Sequence, residues 1–282
     1  LVLKKFLLDK ILNLKRIFKF DNRTFYSRRF LYNPHIPIEG IDNSTFDAFK
    51  KILQIKSGTV IDVGANIGQT LNNILLIDAK REYIGFEPQS YAAAIIEIFI
   101  NENNLKDKTI IPIGLSDIFS VEEFYSFGND LSNFYNTGAT IEKKFIDIQQ
   151  EKCYQRKVIL ENGDKLLKNL KVKDISVIKI DVEGAEIKVL KGLKETINNK
   201  RPFIIFEMLP FSKRSISEED FLYECNNLIE NIKVNNMEIF SIQRSTERKI
   251  SLFSRTNLDL KNNIRDYVAV PTEFLAEWNK VI

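Results

Sequence analysis

Acidic side chains at the ends of apolar runs, together with a glycine turn, have the types and spacing of a ligand-binding site. Asp62 lies inside the run VIDV, and Gly64 and Gly68 follow it in the stretch DVGANIG. Glu87 ends the next apolar run, YIGFE, and Asp117 follows a third run in GLSD. An ionised carboxylate in a buried strand is costly unless it is paired or hydrogen-bonded. Each acid therefore predicts a bound ligand, or else a local role at a helix start or in a solvated loop.

The glycine turn does not have the pattern of a phosphate-binding loop. Asn66 and Gln69 stand where the dinucleotide fingerprint G-x-G-x-x-G has its second and third glycines. The sequence contains no G-x-x-x-x-G-K-S/T loop either. A carboxylate at Glu87 can accept hydrogen bonds from both hydroxyls of a ribose, and one at Asp117 from the amine of an adenine. Three acids without a phosphate cradle favour S-adenosylmethionine, which has a sulfonium, an α-amino group, a ribose and an adenine but no phosphate.

Alternating strand and helix patterns must position these residues. The chain has 282 residues, 44% of them hydrophobic, and can bury a full core. Strands that alternate with helices of 10–15 residues predict an α/β fold, with a mostly parallel sheet, helices on both faces and ligands at the carboxyl ends of the strands. Strands are predicted at 59–65, 82–88, 108–115, 121–127, 156–162, 175–184, 201–209, 237–243, 249–254 and 266–271, and helices at 69–79, 91–103, 185–197 and 217–232.

Four motifs together resemble the FkbM-type S-adenosylmethionine-dependent methyltransferases. They are VIDVGANIG, GFEP, KIDVEGAEIKVLKGL and PFIIFEM, and the resemblance runs from about Thr59 to Pro271. It implies a Rossmann-like class I methyltransferase fold, S-adenosylmethionine as cofactor, and O-methylation of a small-molecule or glycan acceptor, with a sugar hydroxyl as the first choice. Asp164 follows Gly163 where such proteins often have a Leu-Asp pair, which leaves its role open. By position, the resemblance implies cofactor contacts for Asp62, Gly64, Ala65, Asn66, Gly68, Glu87, Ser116 and Asp117.

The candidate catalytic residues are three carboxylates near the ends of the fourth and fifth central strands. Asp181, Glu183 and Glu207 could orient an acceptor hydroxyl and take its proton. Asp181 and Glu183 are two residues apart, so they point to the same side if the strand persists. Two alternatives stay open, since His35 could be the base, or Asp181 and Glu207 could hold a divalent metal ion. Glu186 falls in the first turn of the next helix, where an acid favours the helix dipole, and is read as structural.

The first 30 residues differ in charge from the rest of the chain. They hold nine basic and two acidic side chains, a net charge of +7, whereas the remainder holds 32 basic and 36 acidic ones, a net charge of −4. The net charge of the whole chain, +3, does not favour a nucleic-acid partner. Apolar residues at three- and four-residue intervals predict a basic amphipathic helix that precedes the main domain. These residues are Leu3, Leu7, Ile11, Leu14 and Phe18.

The N-terminal segment has four candidate roles, and its boundary is marked by Pro34, Pro37 and Gly40. It could pack on the main domain, join two copies in a homo-oligomer, lie on an anionic membrane surface through residues 1–30, or contact nucleic acid. The sequence therefore divides into a segment and connector at 1–45 and a Rossmann-like methyltransferase domain at 46–282.

Cysteine usage and hydropathy predict a cytoplasmic protein, with attachment to the inner face of the membrane as the alternative. Cys153 and Cys225 form neither a disulfide framework nor a metal pattern. No apolar run approaches the roughly 18 residues of a membrane span. The alternative to an enzyme is a non-catalytic cofactor-binding or scaffold protein. The intact set of Asp62, Gly64, Gly68 and Glu87 favours a working enzyme.

Deleting residues 1–28 should leave cofactor affinity unchanged, because this segment lies outside the four motifs. The truncated chain is expected to bind S-adenosylhomocysteine as the full chain does when both are titrated by calorimetry. Its oligomeric state, or its sedimentation with anionic vesicles, is expected to change. Loss of cofactor binding on deletion would show that the boundary is misplaced.

Overall fold

The structure is a computed structural model, and it describes residues 15–20, 23–28, 43–127, 139–142, 153–208, 211, 216–242, 250–252 and 266–280. The strands are β1 (Lys15–Phe20), β2 (Arg23–Arg28), β3 (Thr59–Val63), β4 (Tyr83–Phe86), β5 (Lys108–Ile111), β6 (Gly114–Ser116), β7 (Ser120–Phe127), β8 (Cys153–Asn162), β9 (Ile175–Ile180), β10 (Phe203–Glu207), β11 (Met237–Ile242), β12 (Ile250–Leu252) and β13 (Asp266–Pro271). The α-helices are α1 (Asn43–Ile55), α2 (Gln69–Asp78), α3 (Ser90–Glu102), α4 (Gly163–Asn169), α5 (Glu186–Gly192), α6 (Lys194–Lys200), α7 (Glu218–Lys233) and α8 (Leu275–Lys280).

A mixed sheet lies at the centre of the described part of the chain. Its order is β12-β11-β13-β10-β9-β3-β4-β5. The strands from β10 to β5 in this order pair in parallel. The antiparallel pairs, which involve β13, β11 and β12, are confined to one side of the sheet. The predicted α/β fold with a largely parallel central sheet is confirmed.

Helices cover both faces of this sheet. All residues of β3 are buried, and because successive side chains of a strand point to opposite faces, Val60 and Ile61 belong to different apolar clusters. The cluster of Ile61 contains residues of α4, α5, α6 and α7, and that of Val60 contains residues of α1, α2, α3 and α8. Burial on both faces explains why the central strands read as nearly continuous apolar runs.

The chain reverses its direction of travel across the sheet at β3, and this creates a crevice. From β3 the chain continues to β4 and β5 on one side, and later places β9 and β10 on the other. In open α/β sheets, ligands bind outside the carboxyl ends of the strands at such a switch point. Asp62, Glu87, Asp181 and Glu207 lie at or directly after the ends of the four strands that meet there.

Two predicted elements are divided in the structure. The run at 108–115 forms β5 in the central sheet and β6 in a separate sheet of order β6-β8-β7. Pro112 lies between them and has no N–H group for a sheet ladder. The helix predicted at 185–197 consists of α5 and α6, which meet at Leu193.

The predicted N-terminal helix is wrong for the residues that the structure describes there. β1 and β2 form an antiparallel hairpin in which Ile17 pairs with Tyr26. β-Branched and aromatic residues are frequent in both strands and favour them, and Asp21 and Asn22 between the strands are residue types common in turns. This local preference outweighs the helical spacing of the apolar residues. Residues 3–14 of the predicted helix, and His35 in the connector, lie outside the described residues.

The role of the N-terminal segment stays a prediction, as does the domain boundary near residue 45. No helix in the described ranges is both long and apolar enough to cross a membrane.

A close backbone contact joins α5 to β6, a strand of the three-stranded sheet. Gly192, the last residue of α5, lies so near β6 that a Cβ atom placed on it would be 1.8 Å from the carbonyl oxygen of Ser116. Asp164 strengthens the same region, because its carboxylate oxygens accept hydrogen bonds from the backbone N–H groups of Glu195 and Thr196 at 2.9 and 2.8 Å. Asp164 therefore caps the first turn of α6.

Replacing Gly192 by Ala should destabilise the protein by about 3 kcal/mol, because a Cβ atom at this position must push β6 away from α5. The free energy of unfolding, measured in urea, checks this value. Lys191→Ala is the control, since Lys191 is an exposed neighbour in the same helix and should change stability by less than about 0.5 kcal/mol. Equal stability of the two variants would mean that the contact is not rigid.

Candidate active site

A cavity of about 330 Å³ opens at the carboxyl ends of the central strands. Backbone and side chains from the turn after β3, the end of β4, the end of β9 and the end of β10 line it. The structure thus brings most of the predicted site residues together in one place. Those that line the cavity are Gly64, Ala65, Asn66, Glu87, Asp181, Glu183 and Glu207.

The turn after β3 touches the end of β9, and only glycine fits there. A Cβ atom on Gly64 would lie 1.9 Å from the carbonyl oxygen of Asp181, and the φ of Gly64 is +82°. The N–H groups of Gly64 and Ala65 both donate to the carbonyl oxygen of Phe86, at 2.9 and 3.1 Å. The turn is therefore held between the ends of β9 and β4, next to the cavity.

Asp62 lies beneath the turn and is fully buried. Its Oδ2 accepts a hydrogen bond from the Tyr83 hydroxyl at 2.6 Å, and its Oδ1 lies 3.8 Å from Nζ of Lys179. Burial raises the pKa of Asp62, while Lys179 and Tyr83 lower it. Asp62 is not among the residues that line the cavity. It therefore lies behind the turn and stabilises the charge of Lys179.

Glu87 joins the glycine turn to the segment after β4. Its Oε2 accepts a hydrogen bond from the N–H of Asn66 and its Oε1 one from the N–H of Gln89, both at 2.8 Å. Burial raises the pKa of Glu87 to about 7, although these two backbone bonds oppose the shift. Oε1 of Gln89 in turn accepts a hydrogen bond from the Tyr91 hydroxyl, and the guanidinium of Arg156 lies 4.9 Å from the Tyr91 ring centre. Glu87 is therefore rigidly oriented at the cavity.

Asp181, Glu183 and Glu207 form an acid cluster on the opposite side of the turn. Each offers a carboxylate oxygen within 4.8 Å of the others, a spacing that could hold a metal ion. Burial raises the pKa of Glu207 to about 9, and the charges of Asp181 and Glu183 add to the effect. This shift favours the protonated form of Glu207.

Lys179 compensates part of the charge of the acid cluster. Its Nζ donates a hydrogen bond to Oδ2 of Asp181 at 2.9 Å. Burial alone would lower the pKa of Lys179, but the carboxylates of Asp181 and Asp62 raise it above its usual value. The lysine therefore stays charged between two acids. Lys179 was not predicted as a site residue, although it stands two residues before Asp181 in one of the motifs that carry the family resemblance.

Glu183 reaches the cavity for a different reason from the one predicted. β9 ends at Ile180, so strand alternation does not place Glu183 beside Asp181; instead Glu183 adopts a φ of +50° in the following turn. Oγ1 of Thr140 donates to the carbonyl oxygen of Glu183 at 2.8 Å. The carboxylate of Glu186 accepts a hydrogen bond from the N–H of Gly184 at 3.1 Å, which agrees with the structural role expected for it.

Ser116 and Asp117 do not line the cavity. The hydroxyl of Ser116 donates to Oδ1 of Asp117 at 3.1 Å, and the side-chain amide of Asn162 donates to the carbonyl oxygen of Asp117 at 2.8 Å. Gly114 and Leu115, which precede them in β6, do line it. Contact of every predicted residue with the cofactor stays a prediction, and Ser116, Asp117, Asp62 and Gly68 do not line the cavity.

One wall of the cavity is apolar and belongs to the three-stranded sheet and its connections. Phe124 and Leu160 line the cavity from β7 and β8, and Ala139 and Ile141 complete the wall. No spacing in the sequence assigns Leu160, Ala139 or Ile141 to a site. Polar residues that were also missed come from α1, α2 and the segment after β4, namely Thr45, Gln69, Thr70, Asn73 and Gln89. A mostly apolar wall with a few convergent polar groups is typical of small-molecule sites.

Solved structures that match this chain include several methyltransferases. A methyltransferase FkbM from Methylobacillus flagellatus KT is 14% identical over 76% of this chain and 43% of that chain, with a TM-score of 0.46. An O-methyltransferase from Bacillus cereus in complex with SAH is 10% identical over 85% and 82%, with a TM-score of 0.45. Fibrillarin from Aeropyrum pernix with natively bound S-adenosyl-L-methionine is 10% identical over 92% and 84%, with a TM-score of 0.44.

The family model of the methyltransferase FkbM domain matches residues 62–255 of this chain. No curated protein matches the sequence. The matched range begins at Asp62 beneath the glycine turn and includes both Glu87 and the acid cluster. It covers more than half of the chain. The chain therefore belongs to the FkbM methyltransferase family.

Proposed function

We propose that this chain is an S-adenosylmethionine-dependent methyltransferase that methylates a hydroxyl group of a sugar or glycan. The observation that carries the proposal is that one cavity is lined both by the Gly64–Asn66 turn with Glu87 and by the acid cluster of Asp181, Glu183 and Glu207. The first group suits a nucleoside with an amino acid tail. The second suits an acceptor whose hydroxyl must be oriented and deprotonated.

The residues at the turn fit the proposed cofactor. A carboxylate offers about four acceptor positions, and at Glu87 the backbone N–H groups of Asn66 and Gln89 take one on each oxygen. Acceptor positions therefore remain for ribose hydroxyls. Leu115 and the apolar wall supply a surface for an adenine ring. S-adenosylmethionine supplies a methyl group that is already activated by its sulfonium, so much of the remaining acceleration comes from holding the acceptor oxygen in line.

The carboxyl groups of the acid cluster have different roles because they differ in protonation state. Lys179 donates to Asp181, which favours the ionised form of that carboxylate and fixes its direction. Asp181 or Glu183 then takes the proton from the acceptor hydroxyl. Burial and two neighbouring acids raise the pKa of Glu207, which favours its protonated form, and in that form it can donate a hydrogen bond to the acceptor. Neighbouring carboxylates with separated pKa values are a recurring arrangement in acid–base catalysis.

A divalent metal ion is the second candidate occupant of the acid cluster. The spacing of the three carboxylates supports it, and hard cations prefer carboxylate oxygen. A metal ion would require Glu207 to give up its proton, and would orient the acceptor by binding its oxygen. The base and the metal ion predict different responses to added Mg²⁺, which the experiment on these residues measures.

Replacing Glu87 by Ala should weaken binding of S-adenosylhomocysteine by about tenfold to a hundredfold. Hydrogen bonds to a charged group contribute roughly 1.5–3 kcal/mol, and the change removes all of those made by this carboxylate. Isothermal titration calorimetry measures the effect. Glu82→Ala is the matched control, because Glu82 is exposed just before the other end of the same strand. Equal affinity of the Glu87 variant and the control would remove Glu87 from the site.

The pKa of Glu87, raised to about 7, predicts opposite effects of pH on binding and on stability. Affinity for S-adenosylhomocysteine should rise as pH increases through about 7, because the ionised carboxylate accepts ribose hydrogen bonds. The contribution of Glu87 to the stability of the ligand-free protein should fall over the same range, because the folded state holds this proton more tightly than the unfolded chain. Glu87→Gln should abolish both trends in calorimetry and in urea unfolding, and trends that persist would refute the assignment.

Asp181→Asn and Glu183→Gln should each lower turnover at least tenfold, with little change in affinity for S-adenosylhomocysteine. Transfer of labelled methyl to glycan fractions of the source cell measures turnover, and Asp174→Asn, just before the start of β9, is the control. If both variants keep full turnover and His35→Ala loses it, the histidine is the base. A rise in melting temperature with Mg²⁺ that both variants abolish would instead assign the acid cluster to a metal ion.

A further inference from the structure

The three-stranded sheet carries a group of exposed apolar side chains, which we call the outer patch. Ile118 and Phe119, between β6 and β7, are 64% and 62% exposed, and Val121 and Ile159 on β7 and β8 are 53% and 49% exposed. Val121 and Ile159 are direct cross-strand partners, so their side chains lie on the same face, about 5 Å apart at Cβ. Ile118 and Phe119 precede Val121 by three and two residues. Ile118 and Phe119 therefore lie just before the strand that carries Val121, and all four residues belong to one region of the three-stranded sheet.

The outer patch lies on the opposite face of this sheet from the cavity. Leu160 and Phe124 line the cavity. Side chains alternate between the two faces of a strand, so Ile159 and Val121 point the other way. A partner that covers the outer patch therefore leaves the cavity open.

The outer patch differs from the other exposed apolar residues of the described chain. Tyr223, Val234 and Leu170 are exposed as well, but they lie singly on or beside helices. Tyr154 is an exposed residue of β8 that pairs with Ser126 and so lies on the other face of the sheet from Val121; single exposed apolar residues are ordinary. The four side chains of the outer patch together expose an area on the order of 400 Å², and the largest apolar patch of a monomer, typically of this size, is often functional.

Two residues of opposite charge lie beside the outer patch, and each could pair with its counterpart in a second copy of the chain. Glu123 on β7 and Lys157 on β8 are cross-strand partners on the same outward face, and Nζ of Lys157 lies 2.9 Å from Oε1 of Glu123. A two-fold axis parallel to the strands would place β7 of one copy over β8 of the other. Each Glu123 would then face Lys157 of the other copy, which is the pairing that an isologous interface requires.

We propose that this chain forms a homodimer through the outer patch, with Val121 and Ile159 at its centre and Glu123 and Lys157 at its rim. Two apolar patches of this size bury on the order of 800 Å², and the rim adds further area. The apolar area is below the about 1,200–2,000 Å² of standard specific interfaces and within the range of weak ones. The expected dissociation constant is therefore micromolar, and the dimer forms with both cavities open.

Sedimentation velocity of the full chain between about 1 and about 100 µM tests the proposal. The unchanged protein should shift from monomer to dimer across this range. Val121→Lys and Ile159→Lys should each raise the dissociation constant at least tenfold, because each places a charge in the apolar centre. Val234→Lys is the matched control, since Val234 is 72% exposed away from the patch, and should dimerise normally. Equal melting temperatures and equal affinity for S-adenosylhomocysteine would show that all variants are folded.

A charge exchange tests the proposed two-fold arrangement itself. Lys157→Glu should weaken the dimer, because two acids would then face each other across the axis. Combining Lys157→Glu with Glu123→Lys should restore it, because the exchanged pair is complementary again. A protein that stays monomeric at about 100 µM, a dimer that survives Val121→Lys, or a double variant that fails to regain affinity would each overturn the proposal.

Discussion

The site depends on one steric constraint: β3 and β9 end so close together that residue 64 has no room for a side chain. The N–H of Asp181 also donates to the carbonyl oxygen of Val63 at 3.0 Å, so the two strand ends are joined by their backbones. The glycine turn and the acid cluster consequently share one cavity. A larger residue at position 64 would separate the half of the site that holds Glu87 from the half that holds Asp181.

Charge compensation around Lys179 gives neighbouring acids different protonation states. A buried ion pair is tolerated when its charges are paired and hydrogen-bonded, and here a single ammonium lies between Asp62 and Asp181. Burial raises the pKa of Glu207, and the charges of its acidic neighbours add to the effect. The protonation states in the cavity therefore depend on burial together with the position of Lys179.

The strands, helices and cofactor turn could be predicted because they follow from patterns that are local in the sequence. Apolar runs and glycine spacing were enough to locate β3, β4, β9 and β10. The contribution of Leu160 to the apolar wall could not be predicted, because this residue reaches the cavity only through the pairing of β7 with β8. The N-terminal hairpin was missed because its apolar residues also fit a helical spacing, and Glu183 was assigned to the cavity for the wrong reason because β9 ends before it.

The strand order also has a consequence for how the protein folds. β3 pairs with β9, so the centre of the sheet forms only when residues 175–180 pair with residues 59–63. Contacts between residues so far apart in sequence form slowly, because a long loop must be ordered first. During synthesis, the edge of β3 that receives β9 stays unpaired until more than a hundred further residues have left the ribosome. Exposed strand edges favour association with other chains, so this interval is when a chaperone would contribute most.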